Sequence, residues 1–277
     1  MVTALDALST WPVDHCAASV LVLKDGSPQV VETTGEQQRT FALASVTKPL
    51  VAYALALAVQ EGALEYDDAV PFPEGATVRH VVAHAAGLDF DSERVRYGLT
   101  ERRMYSNQGF VYVAEALERA TEIPWRDYVR EAVFEPLGMT STTIEGAPGA
   151  GGVSTVADLS AFAAELLAPN LLDPSLLNEV KTVQFPGLDG LLPGYGTRKP
   201  NDWGLGFEIR DHKSPHWTGT SNSPETFGHF GQSGTFLWVD PVIGVATVVL
   251  TDRDFGPWAH PLWTEVSDLV VSSYSNS

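Results

Sequence analysis

Phe41-Ala-Leu-Ala-Ser45-Val-Thr-Lys48-Pro49-Leu-Val-Ala-Tyr-Ala-Leu-Ala-Leu-Ala-Val59-Gln60 sets a serine and a lysine, three residues apart, at the front of a long apolar run. Read as the start of a helix, this spacing puts the two side chains one above the other on a single face. The Ser45 N–H then falls among the unpaired donors of the helix N-terminus, which favour developing negative charge. A hydroxyl is a poor nucleophile until a neighbour takes its proton. A lysine does so only when its surroundings lower its pKa. Many helices carry such a pair by chance, so Ser45 and Lys48 need further residues beside them.

Two later segments supply those residues. Tyr105-Ser106-Asn107 precedes a helical pattern beginning at Gln108-Gly109. A tyrosine and an asparagine two apart on a short loop can face one cleft, the phenol relaying a proton and the amide holding a lysine or a substrate carbonyl. His229-Phe230-Gly231-Gln232-Ser233-Gly234 leads into the strand-like Thr235–Asp240. A cation-capable side chain followed by glycine on an edge strand lets a substrate backbone approach and pair.

In this order, SxxK, YxN and HxG, the chain resembles the penicillin-recognising serine hydrolases: class C β-lactamases, D-alanyl-D-alanine peptidases and related esterases. Further stretches carry the resemblance over nearly the whole chain. Arg79-His80-Val-Val-Ala-His84-Ala-Ala-Gly87-Leu88 resembles the family's LLTHTSGL stretch. Phe134-Glu-Pro-Leu-Gly-Met139 resembles its FxPLGM turn, and Gly151-Gly152-Val-Ser154-Thr155-Val-Ala-Asp158-Leu159 its AGGLxSTAxDL segment. The resemblance implies an acyl-enzyme on Ser45, with Lys48 as general base and Tyr105 as its partner and later proton donor. Asn107 would orient Lys48 or the substrate, and His229 and Gly231 would line the substrate strand. The oxyanion would sit between the N–H groups of Ser45 and Gln232. No metal or organic cofactor is implied.

Two departures bear on substrate. His229 stands where β-lactamases carry the lysine of KTG, as in the peptidase and esterase branches. Phe230 stands where a Thr or Ser helps to hold a substrate carboxylate. Both point toward an esterase or amidase acting on a small acyl substrate. The 60-residue separation of Ser45 and Tyr105 is short for the family and suggests trimmed loops and a more open cleft. A β-lactamase or D-alanyl peptidase, a penicillin-binding sensor without turnover, and a non-catalytic scaffold are the alternatives.

The 277 residues carry 35 acidic and 17 basic side chains, a formal charge of −18, which disfavours nucleic acid and anionic membrane surfaces as partners. Met1 to Pro12 lacks the basic and long apolar regions of a signal peptide. The strongest apolar run, Pro49 to Val59, is too short to span a bilayer. We therefore expect a cytoplasmic protein. Cys16, the single cysteine, has no internal disulfide partner and reads as a small buried residue.

The elements are read as a short helix over Val2–Leu8, then strands Ala17–Lys24 and Gln29–Thr34 joined at Asp25-Gly26-Ser27-Pro28. A mostly helical stretch runs from Ser45 to about Pro200. Strands Leu205–Arg210, Gly228–Asp240 and Gly244–Thr251 follow, and then a helix over Trp258–Tyr274. This predicts one α+β domain over 1–277, β-lactamase/transpeptidase-like by resemblance, with a five-stranded antiparallel sheet flanked by helices. The sheet lobe takes 1–44 and 204–277, the helical lobe 45–203, and the site lies between them. The Gly- and Pro-rich segment 183–203 reads as a pocket rim, with Trp203 and Trp217 as rim residues. His80 and His84 would share a helix face as zinc ligands do, but Val81 stands where a metalloprotease needs Glu, so a structural role is expected. His212 and His216 have no acid at a useful spacing. Ser233 misses the nucleophile-elbow pattern, because Thr235 replaces its last glycine.

Overall fold

Apolar runs near the beginning of the chain pair with runs near its end, and this long-range pairing builds the central sheet. The computed structural model describes residues 3–275. After a 3-10 helix at Ala4–Thr10, β1 (Cys16–Lys24) and β2 (Ser27–Thr34) form a hairpin. Val2, placed in that first helix by pattern, lies outside the described residues. Asp25 and Gly26 at the hairpin tip have φ of 50° and 77°, the two-residue turn whose twist suits the flanking strands. β3 (Phe41–Ala44) leads to α1 (Thr47–Gln60). Next come α2 (Val78–Val82), α3 (Asn107–Thr121) and α4 (Trp125–Val129), the last running into a wide turn at Arg130–Phe134. β4 (Thr143–Ile144), β5 (Gly152–Ser154), α5 (Val156–Leu167) and α6 (Pro174–Val180) follow. β6 (Gly190–Leu192) and β7 (Gly196–Arg198) form a small hairpin. β8 (Glu208–Ile209), β9 (Phe227–Gly231), β10 (Thr235–Asp240) and β11 (Val245–Thr251) return to the main sheet, and α7 (Ala259–Tyr274) follows them.

The main sheet has the order β2-β1-β11-β10-β9-β8 and is antiparallel throughout. It has six strands rather than the expected five. Gly228–Asp240, read as one strand, folds back at Gln232-Ser233-Gly234. Gly234 has φ 77°, and a Cβ there would lie 2.0 Å from the Arg253 carbonyl oxygen, so only glycine fits and the chain turns. β4, β5, β6 and β7 lie within the stretch expected to be mostly helical: β4 and β5 join β3, which immediately precedes it, in a sheet of order β3-β5-β4, and β6 pairs with β7 in another. Their strands have two to four residues, too few to show a period-2 pattern.

Both faces of the main sheet are covered, so β1 is buried without a break from Ala17 to Val22, Ser19 included. α5 crosses one face, where the Ser19 and Ser160 hydroxyls meet at 2.6 Å. α7 covers the other, and Trp238 Nε1–H donates to Ser267 Oγ at 3.1 Å. α1 is buried on all sides from Thr47 to Ala58, as a helix apolar all round must be, and packs against α3, α4 and α6. The start of α1, the start of α3 and the end of β9 converge on one cleft.

Candidate active site

Ser45 is not itself a helical residue. α1 begins at Thr47, and Ser45 occupies the turn before it, closed by the Lys48 N–H donating to the Ser45 carbonyl at 3.0 Å. Ala44 is held at φ 45°, a left-handed conformation that costs a residue with a Cβ about 1–2 kcal/mol. Thr47 braces the bend: its Oγ1 donates to the Ala44 carbonyl at 2.7 Å and accepts from Gly152 N–H at 2.9 Å. A strained turn, rather than a shared helix face, brings Ser45 Oγ to 3.3 Å from Lys48 Nζ.

Lys48 is fully buried. Its Nζ lies 2.6 Å from Asn107 Oδ1 and 2.7 Å from the Gly149 carbonyl oxygen. Burial pulls its pKa down to about 7, with the Asp91 charge acting in the opposite sense. Near neutral pH a large share is therefore neutral amine, with two N–H donors and one lone pair. Asn107 Oδ1 and Gly149 O can only accept, so they take both donors. The lone pair is left toward the Ser45 hydroxyl, which then donates to it.

Tyr105 is half-buried, and the desolvation of its phenol raises its pKa well above the usual value, so it remains protonated. Its relation to the lysine differs from the expected pairing. Nζ sits over the ring face, 4.6 Å from the centroid, while the hydroxyl reaches His229 Nε2 at 3.4 Å. His229 Nδ1–H donates to the Phe230 carbonyl at 2.6 Å. Nε2 is therefore the bare nitrogen, and the Tyr105 hydroxyl donates to it. Burial and the nearby Lys48 push His229 down to about 3. The imidazole is neutral, and the cationic role open to it in the sequence is absent. β9 is not an edge strand either, but β8 pairs only with Phe227 and Gly228 and stops short of His229. A Cβ on Gly231 would lie 2.2 Å from the Leu43 carbonyl oxygen, so glycine lets β9 press against the strand leading to Ser45. Gln232 is tied to Phe255 in both directions, its Nε2 donating at 3.2 Å and its carbonyl accepting at 2.7 Å.

Ser45, Tyr105, His229 and Gln232 line one cavity. Phe90, Leu192, Pro193, Trp203 and Phe230 make most of its wall apolar, and Glu208 reaches it from behind. Leu192, Pro193 and Trp203 belong to the segment read as a rim. Trp217 is instead buried behind the wall, its indole N–H donating to Glu208. His216, which spacing left without an acid, donates through Nε2 to Glu208 at 2.8 Å. Thr218 N–H, donating to Nδ1, fixes that tautomer. Lys213 Nζ completes the cluster, so the carboxylate is spent on internal partners. No lysine or arginine is among the residues lining the cavity.

Phe230 faces largely away from the site. Strand alternation turns its ring toward α7, 5.1 Å from Phe255 and 5.8 Å from both Trp217 and Trp263, while the residue still borders the cavity. Phe230→Thr is therefore expected to destabilise the protein by about 3 kcal/mol. Equilibrium urea unfolding monitored by tryptophan fluorescence measures this loss.

The remaining candidates separate. His84 follows the end of α2 at φ 57°, and its Nδ1 accepts from Ser106 N–H at 3.2 Å beside the Tyr105 ring, whereas His80 Nδ1 caps α2 at Thr77. They share no helix face. Ser233 Oγ donates to the Ala42 carbonyl at 2.7 Å, a structural contact at the β9–β10 turn. Sequence reasoning missed Gly149, Phe90 and Asp91. The glycines at 146, 149, 151 and 152 are the one readable signal, since a Cβ at 149 would sit 3.2 Å from Lys48 Nζ. Phe90 and Asp91 lie in a polar loop with no pattern that marks them.

Residues 14–271 match the Beta-lactamase family, and the chain belongs to it. A crystal structure described as a β-lactamase from Mycobacterium bovis is 52% identical, with a TM-score of 0.95 over 99% of this chain and 100% of that one. Penicillin-binding protein 4* of Bacillus subtilis (strain 168) is 31% identical over 136 residues, 38% of this chain and 30% of that protein. A putative D-alanyl-D-alanine carboxypeptidase of Salmonella heidelberg (strain SL476) is 25% identical over 211 residues, 60% of this chain and 49% of that protein. The chain thus spans half or less of the length of these two relatives. Among the described residues no helix is long and apolar enough to cross a membrane.

Proposed function

We propose that the protein is a serine hydrolase that forms an acyl-enzyme on Ser45 and acts on small neutral esters. The observation that carries this reading is the environment of Lys48: a buried Nζ 2.6 Å from Asn107 Oδ1, 2.7 Å from the Gly149 carbonyl oxygen and 3.3 Å from the Ser45 hydroxyl, so that a neutral amine whose two N–H groups go to the pure acceptors turns its lone pair to that hydroxyl. Ser45 Oγ attacks the carbonyl as its proton passes to Lys48. The Tyr105 hydroxyl gives its proton to the leaving alkoxide and takes one back from the Lys48 ammonium that lies against its ring, which returns the lysine to neutral amine. Water then enters, gives its proton to the same base and releases the acid. The high phenol pKa suits Tyr105 to donating rather than to acting as base. The backbone N–H groups of Ser45 and Gln232 would receive the oxyanion, where each such donor is typically worth about 3–4 kcal/mol. Intact-mass labelling with a fluorophosphonate and with penicillin, side by side, tests the acyl-enzyme itself.

Substrate choice follows from the wall. A carboxylate entering this cavity meets a neutral His229, apolar rings and a Glu208 already paired, with no lysine or arginine lining it. A charged group without its hydrogen-bonding partner loses about 1.5–3 kcal/mol. Wild-type enzyme should therefore favour p-nitrophenyl butyrate over nitrocefin by tenfold or more in kcat/KM, at pH 6 and pH 8 alike, because His229 stays neutral at both. The second reading, a β-lactamase, is favoured by the 52% identity to the Mycobacterium bovis protein so described. Faster turnover of nitrocefin than of the ester would select it.

A further inference from the structure

Asn107 holds Lys48 through its carbonyl oxygen, and that orientation has a support of its own. An amide has one accepting end and one donating end. Turned over, Asn107 would aim N–H groups at Lys48, competing for the amine's lone pair or repelling the ammonium. On its far side, Asn107 Nδ2–H donates to Asp91 Oδ1 at 2.8 Å. An ionised carboxylate only accepts, so Asp91 favours one of the two amide orientations. The loop bearing Asp91 is anchored on both sides. The Phe90 carbonyl accepts from Asn107 N–H at 2.7 Å, the Phe90 ring stacks on Tyr105 at 5.9 Å, and Asp89 pairs with Arg96 at 2.8 Å.

We propose that Asp91 is a positioning residue that locks the Asn107 amide with its oxygen toward Lys48 and so keeps the lysine lone pair aimed at Ser45 Oγ. The inference rests on the reading of Lys48 as the general base. Asp91 also carries charge toward that base. Facing Lys48 are the Tyr105 phenol, His229 and His84, both imidazoles held below their usual pKa by burial, with Arg103 near His84. Around Asp91 the same loop carries Asp89, Glu93, Arg94 and Arg96. The Asp91 charge favours the Lys48 ammonium, so its removal moves the amine toward the neutral form.

The test is the pH dependence of p-nitrophenyl butyrate hydrolysis from pH 5 to 9 by the full chain, in wild type, Asp91→Ala and Asp91→Asn. Asp91→Ala loses hydrogen bond and charge: the kcat plateau should fall about tenfold with KM little changed, and the acid limb should move to lower pH. Asp91→Asn can still accept from Asn107 through its own carbonyl but carries no charge. Its acid limb should move as in Asp91→Ala, with a smaller loss of plateau. A shifted thermal midpoint with wild-type plateau and acid limb in both variants would assign Asp91 a structural role and overturn the proposal. If fluorophosphonate fails to label Ser45 in the wild-type protein, the reading of Ser45 and Lys48 falls first and this inference falls with it. Labelled Ser45 with unmoved Asp91 variants defeats this inference alone.

Discussion

Ser45→Ala is expected to lower p-nitrophenyl butyrate hydrolysis by about 10³-fold or more while leaving the fold intact. The loss should appear in kcat, because the hydroxyl supplies the bond that forms and little of the binding energy. The substitution removes a single oxygen from the turn before α1. The bonds that hold the turn run from the Lys48 N–H and from Thr47 Oγ1 to backbone carbonyls, and alanine keeps both. Circular dichroism and the thermal midpoint should therefore match wild type. Peptide mapping after fluorophosphonate treatment should find the adduct on Ser45 in wild type and none in the variant. An adduct on Ser233, or a variant within tenfold of wild type, would place the nucleophile elsewhere.

Lys48→Ala should cost about 10²- to 10⁴-fold in kcat, the range over which a positioned general base contributes. The pH profile of the wild type carries the sharper expectation. The base works as neutral amine, and burial holds its pKa at about 7. kcat/KM should therefore rise with pH and level off above about 7. A lysine near its ordinary value of about 10.4 would be neutral in fewer than about one molecule in a hundred at pH 8, and activity would still be climbing at pH 9. His229, held at about 3, adds no limb in this range. An acid limb near 10 in the wild type, or one that persists unchanged in Lys48→Ala, would remove Lys48 from the role.

The two predictions draw on different parts of the chain's legibility. Ser45, Lys48, Tyr105 and Asn107 were visible because short-range spacing carries them: Lys48 follows Ser45 by three positions, and Asn107 follows Tyr105 by two. The cavity brings Ser45 and Tyr105 together, and Asn107 reaches Lys48 at 2.6 Å. His229 was visible as a residue and misread as a charge. Its protonation depends on burial and on the proximity of Lys48, and neither is a local property of His229-Phe230-Gly231. His216 shows the same limit. Its acid, Glu208, lies eight residues back, and only the course of the chain after β8 returns the ring to it. Short strands such as β4 and β6 were illegible because two or three residues carry no periodicity.

By itself the sequence determined the apolar α1 run, the Asp25-Gly26 hairpin, the antiparallel strands near both ends and the pairing of Ser45 with Lys48 as candidate nucleophile and base. These are local signals, written in patterns of a few residues. Only the tertiary structure decided what state those residues are in. The strained turn at Ala44 presents Ser45 ahead of the helix. The Gly149 carbonyl, 101 residues from Lys48, takes the amine's second donor. Burial from several elements at once lowers Lys48 and His229 and raises Tyr105. A pKa is a free-energy difference summed over everything around a group, so it becomes defined only when the chain has closed around it.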